Sequence, residues 1–148
     1  MVKYNKKIIR KMRMSLFMIV SLLIMCLVIN AQDIRDGSNM LVCKIDSDGT
    51  VHNNTNMMIG KIDSDGTVKN RSNMMVGKIE KDGTIRDRSN RMIGKVNKDG
   101  EVKDKNNMQI GRVKSDGTVV NRNNRTIGHA KNVPATYAAV FFFFELFE

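Results

Sequence analysis

The chain has 148 residues, with 25 basic and 15 acidic side chains and a net charge of +10. Residues 1–31 hold six of the basic side chains and none of the acidic ones, so 19 basic and 15 acidic residues remain, a net charge of +4. The charge excess therefore does not by itself favour a nucleic-acid partner. Beyond residue 31 the single cysteine is Cys43, which excludes a scaffold held by intramolecular disulfides.

Residues 1–31 have the layout of a secretory signal peptide. A basic start is followed by an uncharged stretch from Ser15 to Ile29, and the segment ends in the small residue Ala31. The uncharged stretch has 15 residues, fewer than the ~20 that a spanning helix needs. We expect cleavage near Ala31 and a periplasmic, envelope or secreted location. An uncleaved anchor is the alternative, and lipid modification at Cys26 is disfavoured because Met25 precedes it.

A block of 17 residues recurs through residues 32–133. Its clearest segment has the form Lys-Ile-x-x-Asp-Gly-Thr-Val, and the copies are Lys44–Val51, Lys61–Val68, Lys78–Ile85, Lys95–Val102 and Arg112–Val119. A short repeat cannot bury its apolar face alone, so the units must stack or close into a ring. In one unit, burial of three aliphatic side chains contributes roughly 5–9 kcal/mol, whereas ordering 17 residues costs on the order of 25 kcal/mol. A single unit is therefore expected to stay unfolded.

Each block predicts two short strands and two turns. The Asp-Gly pair supplies the positive backbone angle of a tight β-turn, which places Ile62 opposite Val68 in the second block. The other corner is rich in Asn, Ser and Arg, as is typical of a loop between strands. Half units at both ends of the repeats complement each other. The fold class we predict is therefore all-β, a closed radial ring of five or six β-hairpins without a free sheet edge.

Three aliphatic columns run through the repeats. The first contains Val42, Ile59, Val76, Ile93, Ile110 and Ile127; the second contains Ile45, Ile62, Ile79, Val96, Val113 and Ala130; the third contains Ile34, Val51, Val68, Ile85, Val102 and Val119. The first two columns are three residues apart, with a glycine column between them. We expect a bulge at the glycine to turn both columns inward. A strand with one aliphatic residue on each face is the alternative. Cys43 occupies the glycine column and is interpreted as a small buried substitute.

Residues 134–148 depart from the repeat. Residues 32–133 contain no Phe, Tyr or Trp, whereas the tail contains Phe141, Phe142, Phe143, Phe144 and Phe147. Four consecutive phenylalanines point all round a helix, so they need an enclosing site. We predict a plug in the centre of the ring, formed by a short helix with Pro134 in its first turn. Contact with a partner or with a membrane is the alternative role for the tail.

Together, the signal segment, the repeats and the closing run from Val133 to Phe144 resemble the five-fold β-flower family of secreted bacterial proteins. The resemblance covers nearly all of residues 32–148. It implies a radial set of β-hairpins with no established activity, and it supplies no functional residues.

The residues favour a non-enzyme. His52 and His129 occupy different repeat columns, and no recurring nucleophile–histidine set accompanies them, so no catalytic residues, metal ligands or cofactor are assigned. Asp46-Ser47-Asp48-Gly49 resembles the start of a calcium loop, but turn formation explains it better because the later ligands are missing. We also expect the carboxylates at the turns to keep near-normal acidity in water.

Two classes of function remain. The first is an exported structural or interaction module that contacts another envelope protein through its repeated loops. The second is a binding module for an anionic glycan, lipid headgroup or phosphate, which a basic rim would attract. That rim would consist of Lys44, Lys61, Lys78, Lys95 and Arg112. A solvated rim without a ligand is the simpler interpretation of the same residues.

Overall fold

The computed structural model describes residues 32–147, so the predicted signal peptide lies outside the described residues. Twelve antiparallel strands form a closed barrel in which each strand pairs with its neighbours in the chain and β1 pairs with β12. The strands are β1 Gln32–Asp36, β2 Leu41–Ile45, β3 Thr50–Asn53, β4 Met58–Ile62, β5 Thr67–Asn70, β6 Met75–Ile79, β7 Thr84–Asp87, β8 Met92–Val96, β9 Glu101–Asp104, β10 Gln109–Val113, β11 Thr118–Asn121 and β12 Thr126–His129. The prediction of an all-β closed architecture is confirmed.

The five Asp-Gly turns lie at one end of the barrel, which we call the Asp-Gly end. Their glycines have φ between 82° and 86°, the left-handed region that glycine enters without steric cost. The preceding aspartate fixes each turn: Thr50 N donates to Asp48 Oδ1 and Thr50 Oγ1 donates to Asp48 Oδ2, both at 2.9 Å. The pairing of Ile62 with Val68 is the one that the turn predicts.

The other connections lie at the opposite end, the Asn-turn end, because successive antiparallel strands reverse direction. Each of these six turns contains an asparagine with φ of 60° to 65°, such as Asn73. Asparagine tolerates this conformation better than most residues. The last residue of the preceding strand also stabilises the turn, since Asn70 Oδ1 accepts the N–H groups of Ser72 and Met74 at 3.0 and 3.1 Å.

A β-bulge recurs in the strand that precedes each Asp-Gly turn. Val51 pairs with Gly60 and His52 pairs with Met58, so Ile59 is the extra residue. The bulge therefore lies one residue before the glycine. Gly60 and Ile62 face the interior, and the second and third aliphatic columns are buried throughout.

The expected bulge is present, but it buries the first column only in part. Ile59, Val76, Ile93, Ile110 and Ile127 are half-buried and pack against the edge of the core, whereas Val42 is 43% exposed. The physical reason is the bulge itself, because its extra residue belongs to neither face of the regular pleat.

The short C-terminal helix, α1, spans Ala135–Phe142. Pro134 is its N-cap and not part of its first turn, which corrects the predicted start. The helix ends before the run of phenylalanines is complete, and Glu145 has a positive φ of 46°. Leaving helical geometry lets successive large side chains reach different walls of the barrel. Phe141 stacks on Phe147 with ring centroids 4.8 Å apart, so the chain doubles back on itself.

Candidate functional site

The interior of the barrel brings the tail against the glycine column. A Cβ atom added at any of five interior glycines would collide with a tail side chain. The pairs are Phe142 with Gly128, Phe143 with Gly111, Phe144 with Gly94, Leu146 with Gly77 and Phe147 with Gly60. Each step along the tail therefore moves to the glycine of the preceding repeat. Glycine leaves room at these positions for a neighbouring side chain to approach the strand backbone.

Cys43 occupies the sixth position of the glycine column. Its side chain is buried, as the sequence predicts for a small substitute for glycine. Burial and the nearby Asp33 carboxylate raise the pKa of the Cys43 thiol to about 12. The thiol therefore stays protonated near neutral pH, which disfavours disulfide formation with another chain, because disulfide exchange uses the thiolate.

The cations of the predicted basic rim lie next to carboxylates. In four repeats the cation pairs with the aspartate of the preceding Asp-Gly turn. The pairs are Lys61–Asp48 at 3.3 Å, Lys78–Asp65 at 3.6 Å, Lys95–Asp82 at 3.0 Å and Arg112–Asp99 at 3.1 Å. Lys44 comes before the first Asp-Gly turn of the chain, so no equivalent aspartate precedes it. The rim is thus an alternation of opposite charges that links neighbouring repeats.

These contacts also change the acidity of the turn aspartates. A hydrogen bond from the Thr50 backbone N–H, supported by the Thr50 hydroxyl and by Lys61, lowers the pKa of Asp48 to about 2. Hydrogen bonds from Thr84 and Lys95 lower the pKa of Asp82 to about 2 in the same way. The expectation of near-normal acidity is therefore wrong, because these carboxylates accept several hydrogen bonds even though they face water.

Acidification should consequently destabilise the barrel. The pKa of these carboxylates is lower in the folded state, so their stabilisation is complete above about pH 5 and is lost as pH falls from about 4 towards 2. Thermal melts from pH 7 to pH 2 should be flat above about pH 5 and then decline. The double variant Asp48→Asn and Asp82→Asn should decline less, because asparagine keeps an acceptor oxygen but does not titrate. An equally steep decline in this variant would contradict the assignment.

The histidines do not assemble a reactive cluster within residues 32–147. His52 Nε2 lies 3.1 Å from Asp46 Oδ2 at the Asp-Gly end, in a contact exposed to water. His129 belongs to β12 and pairs across the closure with Arg35. In this same part of the chain, no group of three or more His, Cys, Asp or Glu side chains is arranged to hold a metal ion.

The two ends of the barrel differ in chemistry. The five Asp-Gly turns contain eight acidic and three basic side chains, whereas the six Asn turns contain three acidic and six basic side chains. All the exposed large hydrophobic side chains of the described residues lie towards the Asn-turn end: Met40, Val42, Met57, Met58, Met74, Met75, Met92 and Met108. These methionines are functional candidates that the predicted repeat chemistry does not include. Their signal is the 17-residue spacing of Met40, Met57 and Met74, with Met108 two blocks further on.

A closed antiparallel barrel of hairpin repeats with a short C-terminal helix defines a class of radial β-repeat proteins. A family model described as "5-fold beta-flower protein" matches residues 31–146, and the chain belongs to this family. No curated protein and no solved structure matches the chain. Within residues 32–147, the single helix is too short to cross a membrane.

Proposed function

We propose that this β-flower protein is a non-catalytic structural and interaction module, exported to the envelope or beyond, whose C-terminal segment plugs its own barrel. The observation that carries the proposal is the match between five tail side chains and five interior glycines. A protein that fills its interior with its own chain has its turns and outer wall left for contact with other molecules.

The plug is supported by burial as well as by contact. Ala138, Ala139 and Val140 of α1 are fully buried, and Phe141, Phe142, Phe143, Phe144, Leu146 and Phe147 pack against the same core. Apart from Cys43, the strands supply only aliphatic side chains and glycine to this core. The aromatic tail therefore provides volume that the repeats lack, and close packing of that volume stabilises the closed ring.

The arrangement of the strands supports a ring of six hairpin-like strand pairs, all from one chain, around the plug. Five pairs are joined by Asp-Gly turns, and the sixth is the closing pair of β1 and β12. The two strands of the closing pair come from opposite ends of the repeat region. Their pairing leaves no open sheet edge, which suits a protein that presents its loops and not its strands to partners.

Binding of an anionic glycan, lipid headgroup or phosphate to the predicted rim has less support. Four of its five cations are already within 4 Å of an aspartate, so an incoming anion would have to compete with a carboxylate at each. Substitution of Lys61, Lys78 and Lys95 by Glu would place like charges next to those aspartates, and salt-sensitive binding lost in that variant would revive this function.

Photo-crosslinking in an exporting host tests the interaction module. A photoreactive residue is placed at Lys105 or Asn123 on the Asn-turn end, at Ser47 or Ser115 on the Asp-Gly end, or at Lys69 on the outer wall. We expect adducts with an envelope component from one of the two ends and few from the wall. Equal labelling from all positions would contradict the proposal. So would turnover in a broad hydrolase screen that one substitution within residues 32–148 abolishes.

A further inference from the structure

The Asn-turn end carries both cations and exposed apolar side chains. Arg71, Arg88, Lys105 and Arg122 occupy equivalent positions just after the strand ends, and all four are exposed. Among the described residues, none of them lies within 4 Å of a carboxylate, in contrast to the paired cations of the Asp-Gly end. These four residues are called the basic tips.

The acidic side chains of these turns offset the charge of the basic side chains only in part. Asp36, Asp87 and Asp104 end their strands, and each points its Oδ1 atom back at the N–H groups two and four residues further on. Asp87 also pairs with Arg91 at 2.8 Å. Within residues 32–147, and with the exposed Glu145 of the tail included, six basic side chains stand against four acidic ones.

Exposed methionines lie at the same end of the barrel as the basic tips. Met40, Met57, Met74 and Met108 are about 60% exposed, with values of 65%, 60%, 61% and 59%. Each follows the left-handed asparagine of its turn. These four residues are called the methionine rim. Large apolar side chains repeated around one end of a protein mark a contact surface, and methionine adapts to irregular or fluid partners because its side chain is unbranched and flexible.

The tail adds apolar surface at the same end. Phe147 lies with Ile59, Asn70, Arg71 and Ser72 around a cavity of about 320 Å³. An aromatic ring thus reaches the mouth of the barrel between a basic tip and a half-buried aliphatic residue. The Asn-turn end therefore combines the Phe147 ring, the methionine rim and the basic tips.

A second copy of the chain does not match this surface. Two Asn-turn ends facing each other would bring their basic tips together, and like charges in contact disfavour association. Stacking the Asn-turn end on an Asp-Gly end would satisfy charge. However, it would bury the methionine rim against turns that present no exposed large hydrophobic side chain within the described residues.

We propose that the Asn-turn end docks on an anionic lipid bilayer, with the methionine rim entering the interface and the basic tips contacting lipid phosphates. An amphipathic surface binds lipid through the sum of its apolar area and its attraction to anionic headgroups. This inference deepens the proposed function by naming the surface and the partner. It concerns residues different from the paired rim cations such as Lys61.

Vesicle sedimentation tests the proposal. The sample is the protein in the form in which a host that exports it releases it. The probes are vesicles that contain phosphatidylglycerol and vesicles of phosphatidylcholine alone. We expect binding to the first that weakens with added salt, and much weaker binding to the second. The triple variant Arg71→Gln, Arg88→Gln and Arg122→Gln should bind anionic vesicles about 100-fold more weakly, from about fivefold for each cation.

A matched control carries the same loss of charge at the other end. The variant Lys81→Gln, Lys98→Gln and Lys114→Gln should change binding less than about twofold, because these cations would face away from the membrane. Serine at the four positions of the methionine rim should weaken binding at least about tenfold, since polar side chains gain nothing from the interface. Circular dichroism and thermal melts would establish that all variants keep the parent fold.

Four results would overturn the proposal. The first is an absence of binding to anionic vesicles at low salt by a folded protein. The second is an equal weakening of vesicle binding in the two charge variants, which would mean that positive charge attracts the protein to the membrane without a preferred orientation. The third is a concentration-dependent dimer, lost in the serine variant and unaccompanied by vesicle binding, which would make a second copy the occupant. Crosslinks to the envelope from the Asp-Gly end alone would likewise overturn it, while leaving the proposed interaction module intact.

Discussion

A chain that ends at Val133 is expected to lose cooperative folding. The truncation removes α1 and the large side chains that lie against the glycine column, among them Phe143 and Phe144. Full burial of one such side chain contributes about 1.5–3 kcal/mol, so a half-buried set of six contributes roughly 5–10 kcal/mol. The whole free energy of unfolding of a domain is only about 5–15 kcal/mol. Circular dichroism melts and amide NMR spectra would detect the loss.

A synthetic peptide of residues 134–148 provides the control. If the tail acts as a plug, addition of the peptide should restore strand signal and a cooperative melt to the truncated chain, with a midpoint that rises with peptide concentration. A truncated chain that gives a dispersed native-like spectrum by itself would contradict the plug and favour a docking role for the tail.

Replacement of Gly111 by valine is expected to destabilise the protein by about 3 kcal/mol, since overpacking of a close-packed interior typically costs 1–3 kcal/mol and sometimes more. The new Cβ atom would meet the Phe143 ring and would lie 2.5 Å from the Val120 carbonyl oxygen. Valine otherwise suits a strand, and Gly111 is not among the glycines with positive φ, so the cost comes from crowding alone. Urea denaturation would measure it from the shift in midpoint at constant slope.

Gly37 is the matched control for this experiment. A Cβ atom there would find its nearest neighbour, the Thr126 carbonyl oxygen, at 3.5 Å, an ordinary contact. Gly37→Ala should therefore change stability by less than about 1 kcal/mol, and in the stabilising direction through the unfolded chain. Combining Gly111→Val with Phe143→Ala should recover part of the loss, with a coupling of about 1 kcal/mol or more between the sites. Strictly additive effects would show that the ring does not occupy the space next to Gly111.

The parts of the fold that the sequence predicts well are those set by local chemistry and by repetition. The Asp-Gly pairs define their turns through backbone angles that few residues adopt, and the spacing of Ile62 and Val68 around such a turn defines their pairing. Because the units repeat, a correct prediction for one unit applies to the whole barrel. Complementary half units at residues 33–43 and 124–130 were enough to predict that the ring closes, because an open arrangement would leave unpaired strand edges.

The features that the sequence did not predict depend on contacts between distant residues. Lys61 and Asp48 are separated by 13 positions and meet only because adjacent hairpins pair. The acidity of Asp48 is different, because the Thr50 backbone N–H and hydroxyl, only two residues away, lower its pKa more than Lys61 does. The sequence predicts the bulge at the glycine, such as Gly60, whereas the extra residue is its neighbour Ile59. An aliphatic residue that faces neither side of a strand has no clear sequence signal.

The glycine column illustrates a different limit. The sequence pattern predicts only that the glycines allow a bulge. In the structure the same glycines also leave room for the side chains of the tail. Five small interior positions and a tail with five matching large side chains are both visible in the sequence. Their correspondence is not visible, because it requires the direction in which the tail crosses the barrel.

That direction has a consequence for the order in which the protein can fold. The tail is synthesised after all the repeats, yet its Phe147 packs against Gly60 in one of the earlier repeats, and β12 pairs with β1. Contacts of such long sequence separation form late and slowly. A partly synthesised chain thus lacks both its closing strand and its aromatic filling. The barrel is therefore expected to close only after the tail has been synthesised, however early the first repeats emerge.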